Sequence, residues 1–322
     1  MTTTNLVFAC DESGAKGYAD QTESYPGEVG VFAGILVPQE IESKAHPEFQ
    51  AVVDKHKPST GKLHVADLPA VQQEALRQDV YTAIRRLNLP CFWYAIHVSG
   101  LNDWYLTQKR LLEDNRQAAL AAQQQPPRVK RNSPRDNPAS MHEVLFEGLY
   151  AHLIAFLEER NQKEVSIEVR TDQIDTPIVK NFEVTAKRLL SDDPLLKVVK
   201  GFDTVTKQVV EGSIEIGITL PPSMQIEAVV RKLTINTVAE GDGYVLAADV
   251  LANSLNHLFK HRDKAELYEP LNHPSAIMKH PLAHHLAAFY DWGIGDLVGD
   301  RLFSHPKGRR SAIAPGPQGV QG

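Results

Sequence analysis

Val7-Phe8-Ala9-Cys10-Asp11-Glu12-Ser13-Gly14 decides how this chain is read, because an apolar, β-rich run stops on an acid and then turns. Two other segments repeat the pattern. Asp172 closes Val165-Ser166-Ile167-Glu168-Val169-Arg170-Thr171, and Asp249 lies inside Val245-Leu246-Ala247-Ala248-Asp249-Val250-Leu251-Ala252. A carboxylate placed where an apolar element would otherwise continue costs free energy unless it is paired or bound to metal. All three are explained together if they converge on divalent metal, Mg²⁺ or Mn²⁺, because such hard cations take oxygen ligands. Each also has a plainer reading. Asp11 or Ser13 could be a turn residue after a strand. Asp172 could belong to a loop that leads to a helix capped at Asp175 or Thr176, with Pro177 at its first position. Asp249 could share a narrow polar helix stripe with Asn253 and Asn256.

Outward from the first acid, Leu6 to Cys10 and Val29 to Val37 read as a strand pair with a long decorated loop between them, the second strand ending at Pro38. Glu40 to Lys57 and Pro69 to Asn88 read as helices, Cys91 to Val98 as a third strand, and Leu101 to about Ala122 as a further helix. The stretch from Gln123 to Pro138 holds four prolines and four basic residues and breaks all periodicity, so a mobile surface loop is expected at about 123–140. Met141 to Arg160 resumes as a helix, followed by the strand ending near Asp172 and a helix from Pro177 to Leu190. Short strands are expected around Val198, Ile214 to Ile218 and Leu233 to Ile235, then helices over Gly243 to His261 and His280 to Tyr290. Strands and helices mixed in this order predict an α/β layer structure around a central sheet, one domain over 1–303, with a disordered tail over 304–322.

The 322 residues are 42% hydrophobic and 23% charged, an ordinary globular composition. No apolar stretch approaches the roughly 18 residues of a membrane span, and the amino terminus lacks a signal-type segment, so a soluble cytoplasmic protein is expected. Cys10 and Cys91 both fall in strand-like runs and read as small core residues rather than a disulfide or thiolate site. The net charge of −6 argues against a protein that coats nucleic acid by bulk electrostatics, though an enzyme can still grip phosphates locally. His257 with His261 and His280 with His284 have the spacing of one helical face, but neither pair carries the Glu of a His-Glu-x-x-His zinc site, and both read as solvated helix residues.

Asp11-Glu12-Ser13-Gly14 after the first strand, together with Ala248-Asp249 and Leu251-Ala252 in a late helix, resembles the bacterial family known as domain of unknown function 3800, over roughly Leu6 to Lys260. That resemblance implies a ribonuclease H-like fold, a mixed central sheet flanked by helices with loop insertions. It also implies a metal-dependent, two-metal nuclease acting on RNA, DNA or a hybrid, in a defence or mobile-element setting. Asp11 matches the first-strand acid of such nucleases, Asp172 the acid at the end of the fourth strand, and Asp249 the acid of the terminal helix. The fourth acid is expected on the Met141 helix, at Glu143 or, preferably, Glu147. The chain departs from the pattern at Gly61-Lys62-Leu63-His64, where Lys62 stands in place of a carboxylate.

Two cations about 3.5 to 4 Å apart can activate a water on one side of a phosphodiester and stabilise the leaving oxygen on the other. Ser13 and Gly14 would let the backbone approach a phosphate. Lys16, Lys62 and His64 would contact phosphate or move a proton, and Arg128, Lys130 and Arg131 of the basic loop would grip the strand. The alternative is a catalytically inactive ribonuclease H-like binding or assembly module, with a protein partner or a second copy. It predicts binding that survives chelation and loss of Asp11. An actin-type or sugar-kinase ATPase would need a duplicated phosphate loop, which is absent. A haloacid dehalogenase would need an acid where Ser13 stands.

Overall fold

The computed structural model describes residues 3–59, 61–122, 129–131, 138–172, 180–184, 186, 195–216, 229–238, 241–286 and 302–312. Its main sheet joins β1 (Thr4–Gly14), β2 (Val29–Pro38), β3 (Cys91–His97), β5 (Glu164–Thr171) and β8 (Val229–Thr237) in the order β3-β2-β1-β5-β8. β2 runs antiparallel to both β1 and β3, while β5 runs parallel to both β1 and β8. This is the expected mixed central sheet flanked by helices, compatible with a ribonuclease H-like α/β fold. β1 lies at its centre. It therefore reads as a continuous apolar run rather than an alternating one, and Phe8, Ala9 and Cys10 are wholly buried.

β1 is longer than its apolar run. Antiparallel pairing with β2 carries it through Asp11 opposite Ala33 and Glu12 opposite Phe32 to Gly14 opposite Gly30. Successive strand side chains point to opposite faces, so these two adjacent acids are sent opposite ways. The aromatic contacts show which way. Phe8 meets Phe92 edge-on at 5.8 Å, Phe92 meets Phe156 at 5.2 Å, and Phe32 meets Phe146 at 6.3 Å. Phe146 and Phe156 belong to α4 (Met141–Glu159), so the even positions of β1, Glu12 among them, face α4. Asp11 faces α5 (Gly243–Lys260), which packs across β1 and β2 with α1 (Gln39–His56) and α2 (Ala70–Leu87) against it.

The outer edge of β3 is closed by a side chain. Asn272 Nδ2 donates to the Ala95 carbonyl at 2.9 Å and its Oδ1 accepts from the Ala95 N–H at 2.7 Å, standing in for one residue of a neighbouring strand. The Trp93 indole donates to the Leu271 carbonyl beside it at 3.1 Å. Asn272→Ala would strand two buried backbone groups. It is expected to cost about 2–4 kcal/mol, read as a lowered denaturant midpoint with an unchanged slope.

Several expectations are corrected. Within the proline-rich stretch expected as a loop, Val129–Arg131 forms β4. It pairs with β6 (Leu195–Asp203), which pairs in turn with β7 (Val209–Ile216) in a separate antiparallel sheet. Residues 123–128 and 132–137 lie outside the described residues, as do most of the helix expected over 177–190, of which 180–184 are helical, and all of 287–290. The helix after Cys91–His97 begins earlier than expected, as α3 (Val98–Ala122), whereas the one expected from His280 is a single turn, α6 (Ala283–Leu286). His280 therefore precedes it. Far from being solvated, its imidazole is buried and hydrogen-bonded to Ser254 Oγ at 2.9 Å. The expected tail is ordered as far as α7 (Pro306–Ala312), because His305 pairs with Glu23 at 3.3 Å and Arg309 with Asp103 at 2.8 Å. Those partners are distant in sequence and invisible in local composition. Residues 313–322 lie outside the described ones. Cys10 and Cys91 are buried free thiols. No helix of the described residues is long and apolar enough to cross a membrane.

Candidate active site

β1 and β5 are parallel neighbours, in register from Thr4 with Val165 to Ala9 with Arg170. Their carboxyl ends therefore lie side by side. Asp11 stands near the end of one and Asp172 follows the end of the other, at the edge where open α/β sheets form their crevices. The third acid comes from α5. Asp242 caps that helix, its Oδ1 accepting from the Tyr244 and Val245 N–H groups at 2.9 and 3.1 Å, which sets the helix start. Two turns later the same face carries Asp249. Asp11, Asp172, Asp249 and His64 line two adjoining cavities together, a smaller one of about 410 Å³ and a larger one of about 780 Å³, each including its open mouth.

The smaller cavity adds Lys62, Asp242 and an apolar wall that includes Val53, Leu63 and Leu246. The larger is polar and adds Glu12, Ser13, Gly14, Lys16 and Asn253. Asp249 Oδ2 accepts from the Val65 N–H at 3.1 Å and meets His64 Nδ1 at 2.8 Å, and that hydrogen bond raises the His64 pKa. Lys62 forms an ion pair with Asp172. Asp11 Oδ1 accepts from the Glu12 N–H at 2.8 Å. Burial first, and then the charges of Glu12 and Asp249, push the Asp11 carboxyl well above the ordinary carboxylate range.

Glu12 lies in the opposite regime. Burial opposes its charge, but His142 and Lys16, each 3.0 Å away, outweigh burial and hold its carboxyl well below the ordinary range. Its second oxygen, Oε2, is buried without a hydrogen-bond partner. An orphaned anionic oxygen and a buried Asp11 crowded by like charges are what a hard cation would relieve, so the donor chemistry fits Mg²⁺ or Mn²⁺. As the side chains stand, however, Lys62 and His64 occupy two of the three aspartates. Among the described residues no three His, Cys, Asp or Glu side chains are disposed to hold a metal ion.

The other expected site residues separate. Glu147 is half-buried on α4 and lines neither cavity, and Glu143 accepts from Asn181 instead. Lys130 and Arg131 lie on β4 of the second sheet, and Arg128 is outside the described residues. Sequence reasoning missed Glu12, Asp242 and His142 as members of the site. The signal for Glu12 was its adjacency to Asp11, which matters only once β1 is known to run on to Gly14. His142 carried none.

Gly14 is required where it stands. Its φ is +87°, and a Cβ there would come within 2.5 Å of the Val29 carbonyl oxygen and 2.7 Å of Asn256 Oδ1. Gly14→Ala is expected to destabilise by about 1–3 kcal/mol and to displace the cleft floor, read as a lowered melting temperature together with weakened ligand binding.

No protein-family model matches the chain, and no curated protein is detectably similar to it in sequence.

Proposed function

We propose that this chain is a metal-dependent phosphodiester hydrolase acting on nucleic acid. One observation carries the reading: three acids separated by up to 238 positions, Asp11, Asp172 and Asp249, line one cleft at the carboxyl ends of two parallel strands. Asp11 and Asp249 would hold Mg²⁺ or Mn²⁺, with Asp172 joining them as Lys62 turns from it to a substrate phosphate. When bound, the cation would polarise the phosphoryl group and lower the pKa of an attacking water. The chain's own residues do the positioning. β1 fixes Asp11 rigidly, Gly14 lets the backbone come close to a phosphate, Lys16 stands at the cleft wall tied to Glu12, and Asp249 orients the His64 imidazole.

The test is incubation of the purified chain with RNA, DNA and hybrid substrates, single- and double-stranded, in Mn²⁺ or Mg²⁺. Cleavage that EDTA and Asp11→Asn both remove is the expected result. Absence of cleavage with any metal, and no difference between Asp11→Asn and wild type, contradicts it.

A second reading is favoured by the Lys62–Asp172 and His64–Asp249 pairs, which neutralise two of the acids without metal. On that reading the chain is an inactive binding or assembly module, and it binds nucleic acid or a protein partner without cutting. Lys62→Ala separates the two: it should change the metal requirement of a hydrolase and leave a binding module's affinity untouched by metal.

A further inference from the structure

The polar stripe of α5 continues past Asp249. Asn253 lies one turn further and lines the larger cavity, its Oδ1 accepting from Arg77 Nη2 at 2.8 Å. His257, one turn further again, stacks on His261 with ring centroids 4.1 Å apart, and Lys260 sits over the Tyr25 ring at 5.2 Å. Arg77 and Lys260 place two cations beside these rings in a chain of net charge −6. Arg77 Nε is buried without a hydrogen-bond partner, and the nearest carboxylate oxygen of Glu74 stands at 4.0 Å from Nη1, the limit of an ion pair. Burial, then the charges of His261, Arg77 and Lys260, keep the His257 imidazole below its ordinary pKa, so the cluster repels a further positive charge and an anion would relieve it.

Its distance from the acids suggests what anion that is. An α-helix advances about 1.5 Å per residue, which puts His257 roughly 12 Å along the axis from Asp249. A nucleic-acid strand carries one phosphate per about 3.4 Å of axis, and fewer when extended, so the cluster would meet a phosphate roughly two to four nucleotides from the one at the carboxylates. We infer that Arg77, Asn253, His257 and Lys260 form a phosphate track leading out of the cleft, and that the substrate is a polynucleotide strand rather than a mononucleotide or dinucleotide. The inference rests on the hydrolase reading of the cleft and specifies its substrate.

The experiment is a fluorescence-anisotropy titration of labelled DNA and RNA strands of about 12 nucleotides, in EDTA and over a range of salt, with unlabelled dinucleotide as competitor. The proteins are wild type, Arg77→Gln with Lys260→Gln, and the exposed single change Lys260→Glu, which keeps the test alive if the double variant folds poorly. The double variant should bind about tenfold or more weakly, with the slope of log affinity against log salt reduced by about one to two. Lys260→Glu should lose affinity in the same direction, and the dinucleotide should not compete. A loss seen with either RNA or DNA supports the track and identifies the sugar. Equal affinity and slope in wild type and Lys260→Glu overturns it, as does wild type that fails to bind either strand or is displaced by the dinucleotide. Binding of the expected pattern in a chain that never cleaves would instead count against the hydrolase reading and leave the track standing.

Discussion

Asp11→Asn will lower nucleic-acid cleavage by roughly 10³-fold, about 4 kcal/mol of barrier, while the metal-free protein becomes more stable. The two effects share one cause. The Asp11 carboxylate is buried at the end of β1, and Glu12 and Asp249 add like charge to the cost of burying it. A neutral amide of the same size removes that repulsion, so a rise in melting temperature of a few degrees is expected in EDTA, corresponding to about 1–2 kcal/mol. It also removes the charge that draws a cation, so added Mn²⁺ should raise the melting temperature of wild type and not of the variant. A merely structural aspartate would give the opposite stability result. Wild-type cleavage that Asp11→Asn leaves unchanged, or a variant less stable than wild type in EDTA, would exclude Asp11 as a ligand held in place at the fold's expense.

The second large effect is acid unfolding well above the pH at which ordinary carboxylates titrate. Among the described residues, His97, His152 and His280 are buried rings whose pKa values are pushed far down. Burial lowers the pKa of His97 from 6.5 to about 3, with His305 and Arg262 acting in the same direction and a weak hydrogen bond to the Glu269 carbonyl opposing. Burial likewise lowers His152 to about 4 against its bond to the Trp93 carbonyl, and lowers His280 to about 4 with help from Arg77 and Arg85. The folded pKa values lie below the unfolded one, so between them the unfolded chain binds more protons. Their stabilisation is complete above about pH 6.5 and is lost as pH falls toward 4 and 3. At about 1.4 kcal/mol per unit, each histidine costs roughly 2 kcal/mol by pH 5, and the three together approach the whole stability of an ordinary domain. The melting temperature should therefore fall by about 10 °C or more between pH 7 and 5. His280→Gln, which retains a donor for Ser254, should flatten that slope by about a third. A melting temperature constant across the interval would contradict the burial of these rings.

Much of this was legible in the chain because the signals are local. The apolar runs of β1, β2 and β3 and the helical periodicity of α2, α4 and α5 needed no tertiary information, and the three aspartates announced themselves by interrupting such runs. What was not legible depends on partners far away in sequence. Glu147 was preferred as the fourth acid because its helix was in the right place, but the face it occupies on α4 does not line the cleft. Glu12 does, and only the continuation of pairing to Gly14 with Gly30 reveals it. β4 was hidden because three residues between prolines have no pattern of their own, and their partner strand begins at Leu195. His280 and His284 looked like one helical face until the helix proved to start at Ala283, leaving His280 as a buried pin against α5.

The central claim is that Asp11, Asp172 and Asp249 share divalent metal, and the most direct measurement is calorimetric titration of the metal-free chain with Mn²⁺. One or two ions per chain should bind in wild type, more weakly or not at all in Asp11→Asn and Asp249→Asn, with Glu147→Gln behaving as wild type. No saturable uptake at millimolar Mn²⁺, or uptake identical in all four proteins, would contradict the claim.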